Sequence, residues 1–289
     1  MPIRKGPLLM IGATLVFTIM SGSVKVARAE MTTLDLIFWR GVVAIPLAYL
    51  MARKGGLIIN KRGMFAIRLG LGFAAMICFF TALKELPLAD TNMITKIQPV
   101  LIALGAPMLL GKEERADPRL WVLLFVGLGG CVILMAPNIS TGSVWGLWAL
   151  AASVFSAGSH IALRGLKTDS SGAIVFWLQV GVCVLSAGAI LMFQGAIKMP
   201  PVHLWWAIAA VGGLATTGQL MITWAYKLES ASRVAAVRFI GPIWGILGDV
   251  IFFSGWPEPH VWLGGAIVVG AGLTVVLNPP VEKSQADKQ

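Results

Sequence analysis

Residues 81–105 read TALKELPLADTNMITKIQPVLIALG, and residues 224–248 read WAYKLESASRVAAVRFIGPIWGILG. The two stretches align without a gap, and the likeness continues at the same spacing as far as residues 136 and 279. The matched pairs are Ala82 and Ala225, Lys84 and Lys227, Pro99 and Pro242, Gly105 and Gly248, Gly127 and Gly270, and Gly129 and Gly272. This long, gapless repeat indicates that the chain contains two copies of one structural unit.

The composition around this repeat is that of a membrane protein. Hydrophobic residues make up 57% of the chain, charged residues only 12%, and the mean hydropathy is +0.82. Apolar stretches of about 20 residues recur along the whole chain, and this length crosses a hydrocarbon layer roughly 30 Å thick. We predict ten membrane spans, at residues 7–25, 35–52, 65–83, 90–110, 119–136, 145–164, 172–193, 204–226, 233–253 and 261–278.

The basic residues are explained by the topology of these spans rather than by nucleic acid. The net charge is +10, and most of the 23 Lys and Arg residues fall in connecting segments on the side that holds the N-terminus. Cytoplasmic loops of membrane proteins carry such an excess of Lys and Arg. The distribution predicts a multi-pass protein of a bacterial-type inner (plasma) membrane with both termini in the cytoplasm, and it argues against nucleic-acid binding.

Each copy holds five predicted spans, and an odd number means that the second copy enters the membrane from the opposite face. Charge placement agrees, because the loop at Lys84 is predicted outside and the equivalent loop at Lys227 inside. The sequence therefore predicts an all-α membrane protein with ten transmembrane helices as two inverted five-helix repeats. The first repeat comprises residues 1–139 (helices 1–5), the second residues 140–279 (helices 6–10), and residues 280–289 form a cytoplasmic tail. Secondary transporters are commonly built this way, with the substrate site between the copies.

Motifs for enzymatic or cofactor chemistry are missing from the sequence. It has no HExxH, GxSxG or Walker A pattern, and no GxGxxG followed by an acidic residue. Cys78, Cys131 and Cys183 lie in three different spans without CxxC spacing, so we expect core residues rather than metal ligands. We predict no cofactor, no metal, no enzymatic activity and no ATP-driven step. Any energy for transport would come from a proton gradient or from a counter-substrate.

Four charged residues within the spans carry the functional prediction. Arg40, Lys96 and Arg238 lie in the second, fourth and ninth spans, and Asp249 lies deeper in the ninth. Charges at membrane depth are costly, so they normally face a cavity or a partner. The excess of cations favours an anionic or zwitterionic substrate, and Asp249 is assigned either to a salt bridge or to proton coupling. The alternative for Arg40 and Arg238 is that they extend to the membrane interface.

Two prolines mark breaks in the helices that hold these cations. Lys96 stands three residues before Pro99, and Pro242 repeats this break beside Arg238 and Phe239. Proline lacks the backbone N–H and interrupts the helix. Helices interrupted at matching positions of two inverted halves are the usual pointer to a transporter's central site, and we expect these prolines to serve gating. Kinked helices that face lipid are the alternative.

Uncharged polar and aromatic residues complete the predicted substrate site. Gln98, Gln179 and Gln219 supply hydrogen-bonding groups from three spans, His160 lies on a polar stripe of the sixth span, and Trp39 lies inside the second. Together they would line a water-accessible cavity. The alternatives are that the Gln side chains join neighbouring helices, and that His160 serves packing rather than pH sensing.

At this point the chain resembles a known family, the drug/metabolite transporter superfamily, and within it the EamA type. The resemblance covers residues 6–278. It is carried by Phe38-Trp39-Arg40, by Ala89 through Pro99 to Gly111-Lys112-Glu113, by Gly127 to Ala136, and by the second copy from Ala231 through Pro242 to Gly272.

The resemblance implies ten helices in two inverted repeats and alternating access without ATP. It also implies a central cavity built by the first, third, fourth, sixth, eighth and ninth spans, which would include His160, Gln219, Lys96 and Arg238. Arg40 is matched by Leu178 and Glu113 by Trp256, so we expect those two charges to serve one half or one gate. Such proteins move amino acids, other metabolites, vitamins and toxic compounds, often outward.

The sequence therefore predicts a secondary transporter of a small organic metabolite. We expect an amino acid, carboxylate or vitamin-like substrate, and export rather than import. Membrane lipids are the other expected partners, and small-residue surfaces at Gly127 and Gly270 suit a homodimer. Two alternatives stay open: a membrane-embedded acyl or lipid transferase that uses His160 or Asp249, and a non-transporting membrane sensor.

Overall fold

The computed structural model describes residues 5–53, 55–86, 88–135, 144–244, 247 and 259–277, and this part of the chain contains helices and no strand. The α-helices are α1 Lys5–Ala27, α2 Thr33–Ala52, α3 Arg62–Glu85, α4 Leu88–Ile94, α5 Gln98–Leu110, α6 Pro118–Met135, α7 Val144–Gly165, α8 Ser171–Phe193, α9 Trp205–Leu228, α10 Ala231–Ala236 and α11 Pro259–Leu277. Short 3-10 helices lie at Thr95–Ile97, Lys112–Glu114, Val202–Leu204 and Val237–Ile240.

The described helices are long and apolar enough for a multi-pass membrane protein. Eight segments qualify as membrane spans by length and hydropathy, and Pro118–Ile133 is a shorter apolar helix. The expected ninth span begins at α10 and continues into residues outside the described part of the chain. The all-α membrane fold is thus confirmed, and the count of ten spans stays a prediction.

Local signals explain where several helices begin and end. The Thr32 hydroxyl accepts a hydrogen bond from the Asp35 backbone N–H at 3.1 Å and caps the start of α2. Helices α5 and α8 end close to Gly111 and Gly195, whose φ angles are 102° and 81°. Only glycine adopts such angles without strain, so each of these glycines stops its helix and turns the chain.

The helices of the first half pack against helices of the second half in a symmetric pattern. Helix α1 packs along α9 and α3 along α7, while α2 packs along α8 and α6 along α11. Exchanging the two halves converts the α1–α9 pair into the α7–α3 pair and leaves the other two pairs unchanged. The structure therefore has the approximate two-fold symmetry that the sequence repeat predicts.

The pairing of α2 with α8 also shows that the two halves are inverted. These helices occupy equivalent positions in the two copies. Gly172 at the start of α8 lies against Ala52 at the end of α2, and Cys183, further along α8, lies against Gly41 in the middle of α2. Two equivalent helices that pack antiparallel require that one copy is turned over relative to the other. The predicted inverted repeat is confirmed.

Both predicted proline breaks contain irregular backbone. The 3-10 helix Thr95–Ile97 separates α4 from α5 just before Pro99, and Val237–Ile240 stands just before Pro242. In each break the carbonyl four residues before the proline cannot make its usual α-helical hydrogen bond, because the proline nitrogen carries no hydrogen. The carbonyl of Thr95 accepts instead from the Gln98 N–H, and that of Arg238 from the Gly241 N–H.

Candidate functional site

A cavity of about 190 Å³ lies between the two halves of the molecule. All six spans that the family resemblance implies contribute to its wall, and α2 and α8 add Arg40 and Leu178. The wall is mainly apolar along the C-terminal halves of α1 and α3 and mainly polar toward the C-terminal ends of α7 and α9. Its apolar part includes Phe17, Met20, Ala75, Met76, Phe79 and Phe80, and its polar part includes Ser156, Ser159, His160 and Gln219.

Four cations line the cavity: Arg40, Arg68, Lys96 and Arg238. No Asp or Glu is present among the described lining residues. The ion pairs found in the described part of the chain, Arg164–Glu114, Lys84–Glu85 and His203–Glu30, involve none of these four cations. The cavity is therefore strongly electropositive, and the low-dielectric wall strengthens its attraction for an anion.

The two most deeply buried cations are held by neutral partners. Arg40 is 2% exposed and donates from Nη2 to the Gln179 amide oxygen at 3.3 Å. Arg68 is 3% exposed and donates to Ser159 Oγ at 2.6 Å and to Gln219 Oε1 at 2.7 Å. The Nε atoms of both guanidinium groups are buried and have no hydrogen-bond partner among the described residues. A buried cation with incomplete hydrogen bonding is destabilising unless a ligand completes it.

Lys96 connects the two proline breaks across the cavity. Its Nζ donates to the Arg238 carbonyl at 3.3 Å, which is the carbonyl that Pro242 leaves without its helical partner. Gly241 lies beside this ammonium group, so there is little room for a side chain at that position. A cation of the first half thus stabilises irregular backbone of the second half.

His160 orients Arg238 from the opposite wall. Its Nδ1 lies 2.7 Å from the Ser156 carbonyl oxygen and 2.8 Å from the Gln98 amide nitrogen. The carbonyl bonds a protonated Nδ1 and the amide nitrogen an unprotonated one, so these two contacts belong to different tautomers. On the other side of the ring, Nε2 faces Arg238 Nη1 at 3.4 Å, and the Tyr226 ring stacks on the imidazole at a centroid distance of 5.3 Å. These contacts hold the imidazole beside Arg238.

The structure places the predicted site residues unevenly around the cavity. Six of the nine predicted substrate-binding residues line it: Arg40, Lys96, Gln98, His160, Gln219 and Arg238. The prolines Pro99 and Pro242 are not part of the wall; they shape the breaks behind it. Asp249 lies outside the described residues.

Three other predicted residues lie away from the cavity wall, and the structure shows why. Trp39 donates from Nε1 to the Lys198 carbonyl at 2.8 Å and packs edge-on against Trp205 near the surface. Gln179 is buried behind Arg40. Phe239 packs against Gly127, because the 3-10 turn directs this ring between helices. The position of a residue along a span does not predict whether its side chain points into the cavity or between helices.

Sequence reasoning missed Arg68 as a site residue. The side chain lies near the start of α3, where it reaches α7 and α9 through its two hydrogen bonds. Two signals were available: a lone charge within the third span, and the implied place of that span at the cavity. An intramembrane arginine on a cavity-lining span is itself a functional pointer.

A second polar network lies one helical turn beyond the polar end of the cavity. Arg164 follows His160 by one turn of α7 and donates to Glu114 Oε1 at 2.7 Å and to the Tyr226 carbonyl at 2.8 Å. Glu114 Oε2 accepts from the Ala231 N–H at 2.8 Å. This network joins the loop after α5 to the ends of α7 and α9 and the start of α10.

Comparisons with known proteins agree with this fold and cavity. The model of the EamA-like transporter family matches the chain twice, at residues 4–136 and 143–277. The pseudopaline exporter CntI of Pseudomonas aeruginosa is 30% identical over 93% of this chain and 95% of its own length. A riboflavin transporter of Brucella anthropi is 24% identical over 85% of this chain and 88% of its own length.

A solved crystal structure shares the fold, with a TM-score of 0.76 over 95% of this chain and 99% of that chain, at 19% identity. Two matches of one family model therefore cover the two halves that the structure shows packed as inverted copies. The first match ends where the residues connecting α6 to α7 begin. On this evidence the chain belongs to the EamA-like transporter family, and the protein is a multi-pass membrane transporter.

Proposed function

We propose that the protein is a secondary transporter of a small anionic or zwitterionic metabolite, and that it works by alternating access without ATP. The two halves, residues 1–139 and 140–279, move relative to each other about the central cavity, with both termini in the cytoplasm. The substrate class is an amino acid, a carboxylate or a vitamin-like compound. The family is one of transporters, so an acyl or lipid transferase that uses His160 is not retained.

The observation that carries the substrate class is the charge of the cavity. Arg40, Arg68, Lys96 and Arg238 line it, and no described lining residue is acidic. Desolvated cations without counter-ions favour an anion by both Coulomb attraction and charge-assisted hydrogen bonds. A cationic drug would meet repulsion from all four side chains.

Export is the favoured direction. The pseudopaline exporter CntI matches almost the whole chain at 30% identity, and its name states the direction of its transport. The riboflavin transporter matches less of the chain at lower identity, and its name states no direction. The names of these two relatives state different substrates. A transport test therefore has to include carboxylates, amino acids and vitamins.

Transport by the purified protein tests this proposal. Proteoliposomes are loaded with a labelled panel of carboxylates, amino acids, vitamins and amines, and release is followed with and without a proton gradient or an external counter-substrate. We expect release of anionic or zwitterionic members, and at least a tenfold loss of release in Arg68→Gln and Arg238→Gln. Arg115→Gln, an exposed arginine in the loop after α5, is the matched control. Release of amines alone, or full activity in both cavity variants, contradicts the proposal; a folded protein that releases nothing favours a sensor.

A further inference from the structure

Arg40 forms a cationic position of its own within the cavity. Its Nη2 has a neutral partner in Gln179, whose amide in turn donates to Thr216 Oγ1 at 3.3 Å on α9. The Nε atom is buried and has no partner among the described residues. None of the ion pairs found in the described part of the chain involves this guanidinium. We name Arg40 the first anion position.

The other three cations form a separate group. Lys96 donates to the Arg238 carbonyl, and the Arg238 guanidinium faces His160. Ser159, which precedes His160 on α7, accepts from Arg68. Arg68 Nε is likewise buried without a partner, although Nη1 and Nη2 are bonded to Ser159 and Gln219. We name the group of Arg68, Lys96 and Arg238 the second anion position.

Helix α9 anchors both positions. The first position is anchored through Gln179 to Thr216, and the second through Arg68 to Gln219. These two anchors are three residues apart on one helix, which corresponds to a rise of about 4.5 Å. Beyond Arg68 and Gly72, the residues with which α3 lines the cavity are all apolar: Ala75, Met76, Phe79 and Phe80.

We infer that the cavity binds a substrate with at least two carboxylate groups, one at Arg40 and one at the Arg68 group, joined by a short apolar spacer. This inference rests on the proposed function and narrows its substrate class. A monocarboxylate would complete the hydrogen bonds of one guanidinium and leave the other buried without an anion. A second carboxylate on the same molecule satisfies both, because each arginine can hold a carboxylate by two parallel N–H···O bonds.

Matched pairs of ligands test the inference on the full-length protein in detergent. Straight-chain dicarboxylates from succinate to suberate are each compared with the monoamide of the same length, which replaces one carboxylate by a neutral group of equal size. Isothermal titration measures the dissociation constants for the wild type, Arg40→Gln, Arg40→Lys and the exposed control Arg115→Gln. We expect at least one diacid in the series to bind about tenfold or more tightly than its monoamide.

The variants locate the second carboxylate. Arg40→Gln should remove the diacid's advantage over the monoamide, while Arg40→Lys should retain part of the advantage and Arg115→Gln all of it. Equal binding of diacids and monoamides by the wild type overturns the inference but leaves an anion transporter in place. If no carboxylate of either series binds to protein with a normal melting transition, the anionic substrate class of the proposed function fails as well.

Discussion

Arg40 shows at the scale of one residue how binding and stability oppose each other. The side chain is almost fully buried, one nitrogen has no described partner, and its hydrogen bond to Gln179 is long at 3.3 Å. The second copy has Leu178 at the equivalent place, where it also lines the cavity. The same structural position therefore accepts a hydrocarbon side chain, so packing alone does not require the charge.

We predict that Arg40→Leu raises the thermal stability of the ligand-free protein. Replacing a buried charge by a packed apolar side chain is often stabilising by about 1–4 kcal/mol, and loss of the Gln179 bond offsets this by about 1 kcal/mol. The gain in stability from a bound dicarboxylate should fall at the same time to the gain from its monoamide. Melting temperatures in detergent, with and without a dicarboxylate, measure both effects.

The matched variant for this prediction is Leu178→Met, which keeps an apolar residue of similar volume at the equivalent position and should change neither quantity much. A lower melting temperature for ligand-free Arg40→Leu would instead show that the guanidinium is part of the structural framework.

The sequence predicts which side chains face the cavity where the cost of a charge at membrane depth decides in which direction the side chain points. Lys96, Arg238 and Arg40 face the cavity because a charge in hydrocarbon is costly. Trp39 and Phe239 have no such constraint; their rings are equally stable between helices, so their direction depends on tertiary packing. Arg68 had the same charge signal as the others.

At the scale of secondary structure elements, the two proline breaks form one unit. Helices α5 and α10 pack against each other, and Lys96 of one break donates to the Arg238 carbonyl of the other. A change in one break therefore alters the hydrogen bonding of the other. The sequence predicted both breaks from proline chemistry, but the contact between them depends on how the inverted halves meet.

In the proposed alternating access, the Glu114–Arg164 network closes the cavity on its side and opens when the cavity becomes accessible from there. Its members belong to four elements of both halves, and both side chains of the ion pair are largely buried. We predict that Glu114→Gln weakens this closure, because it removes the charge attraction and leaves Arg164 without its anion. Glu113 is adjacent and exposed, which makes Glu113→Gln the matched control.

Cysteine labelling measures this closure. Ile222 lines the cavity just inside the network, so Ile222→Cys is made in a background without Cys78, Cys131 and Cys183. A membrane-impermeant thiol reagent is applied from the side of the network. We expect labelling at least several-fold faster with Glu114→Gln and unchanged with Glu113→Gln. Equal labelling rates in both variants would mean that the ion pair does not hold the cavity closed.

At the scale of the whole molecule, the architecture was largely predictable because the membrane restricts the choices. Backbone groups in hydrocarbon must be hydrogen-bonded within the chain, so apolar segments form helices, and an odd number of spans per copy inverts the second copy. The pairing of α1 with α9 and of α3 with α7 could not be predicted in the same way. It depends on the fit between side chains of distant segments, such as Gly218 against Phe17 and Gly158 against Leu71.

The contact between the two halves along α2 and α9 provides the last prediction. A Cβ atom on Gly212 would lie 2.9 Å from the Arg40 carbonyl and 3.0 Å from the Val43 side chain, whereas one on Gly213 would meet nothing within 4 Å. Overpacking costs about 1–3 kcal/mol, and replacing a helical glycine by alanine contributes about 0.5–1 kcal/mol in the opposite direction. We therefore predict a lower melting temperature for Gly212→Ala and an unchanged or higher one for Gly213→Ala. Because Gly212 touches the backbone of Arg40, Gly212→Ala should also weaken dicarboxylate binding. Identical behaviour of these neighbouring variants would mean that α2 and α9 do not hold the halves together in the way the structure shows.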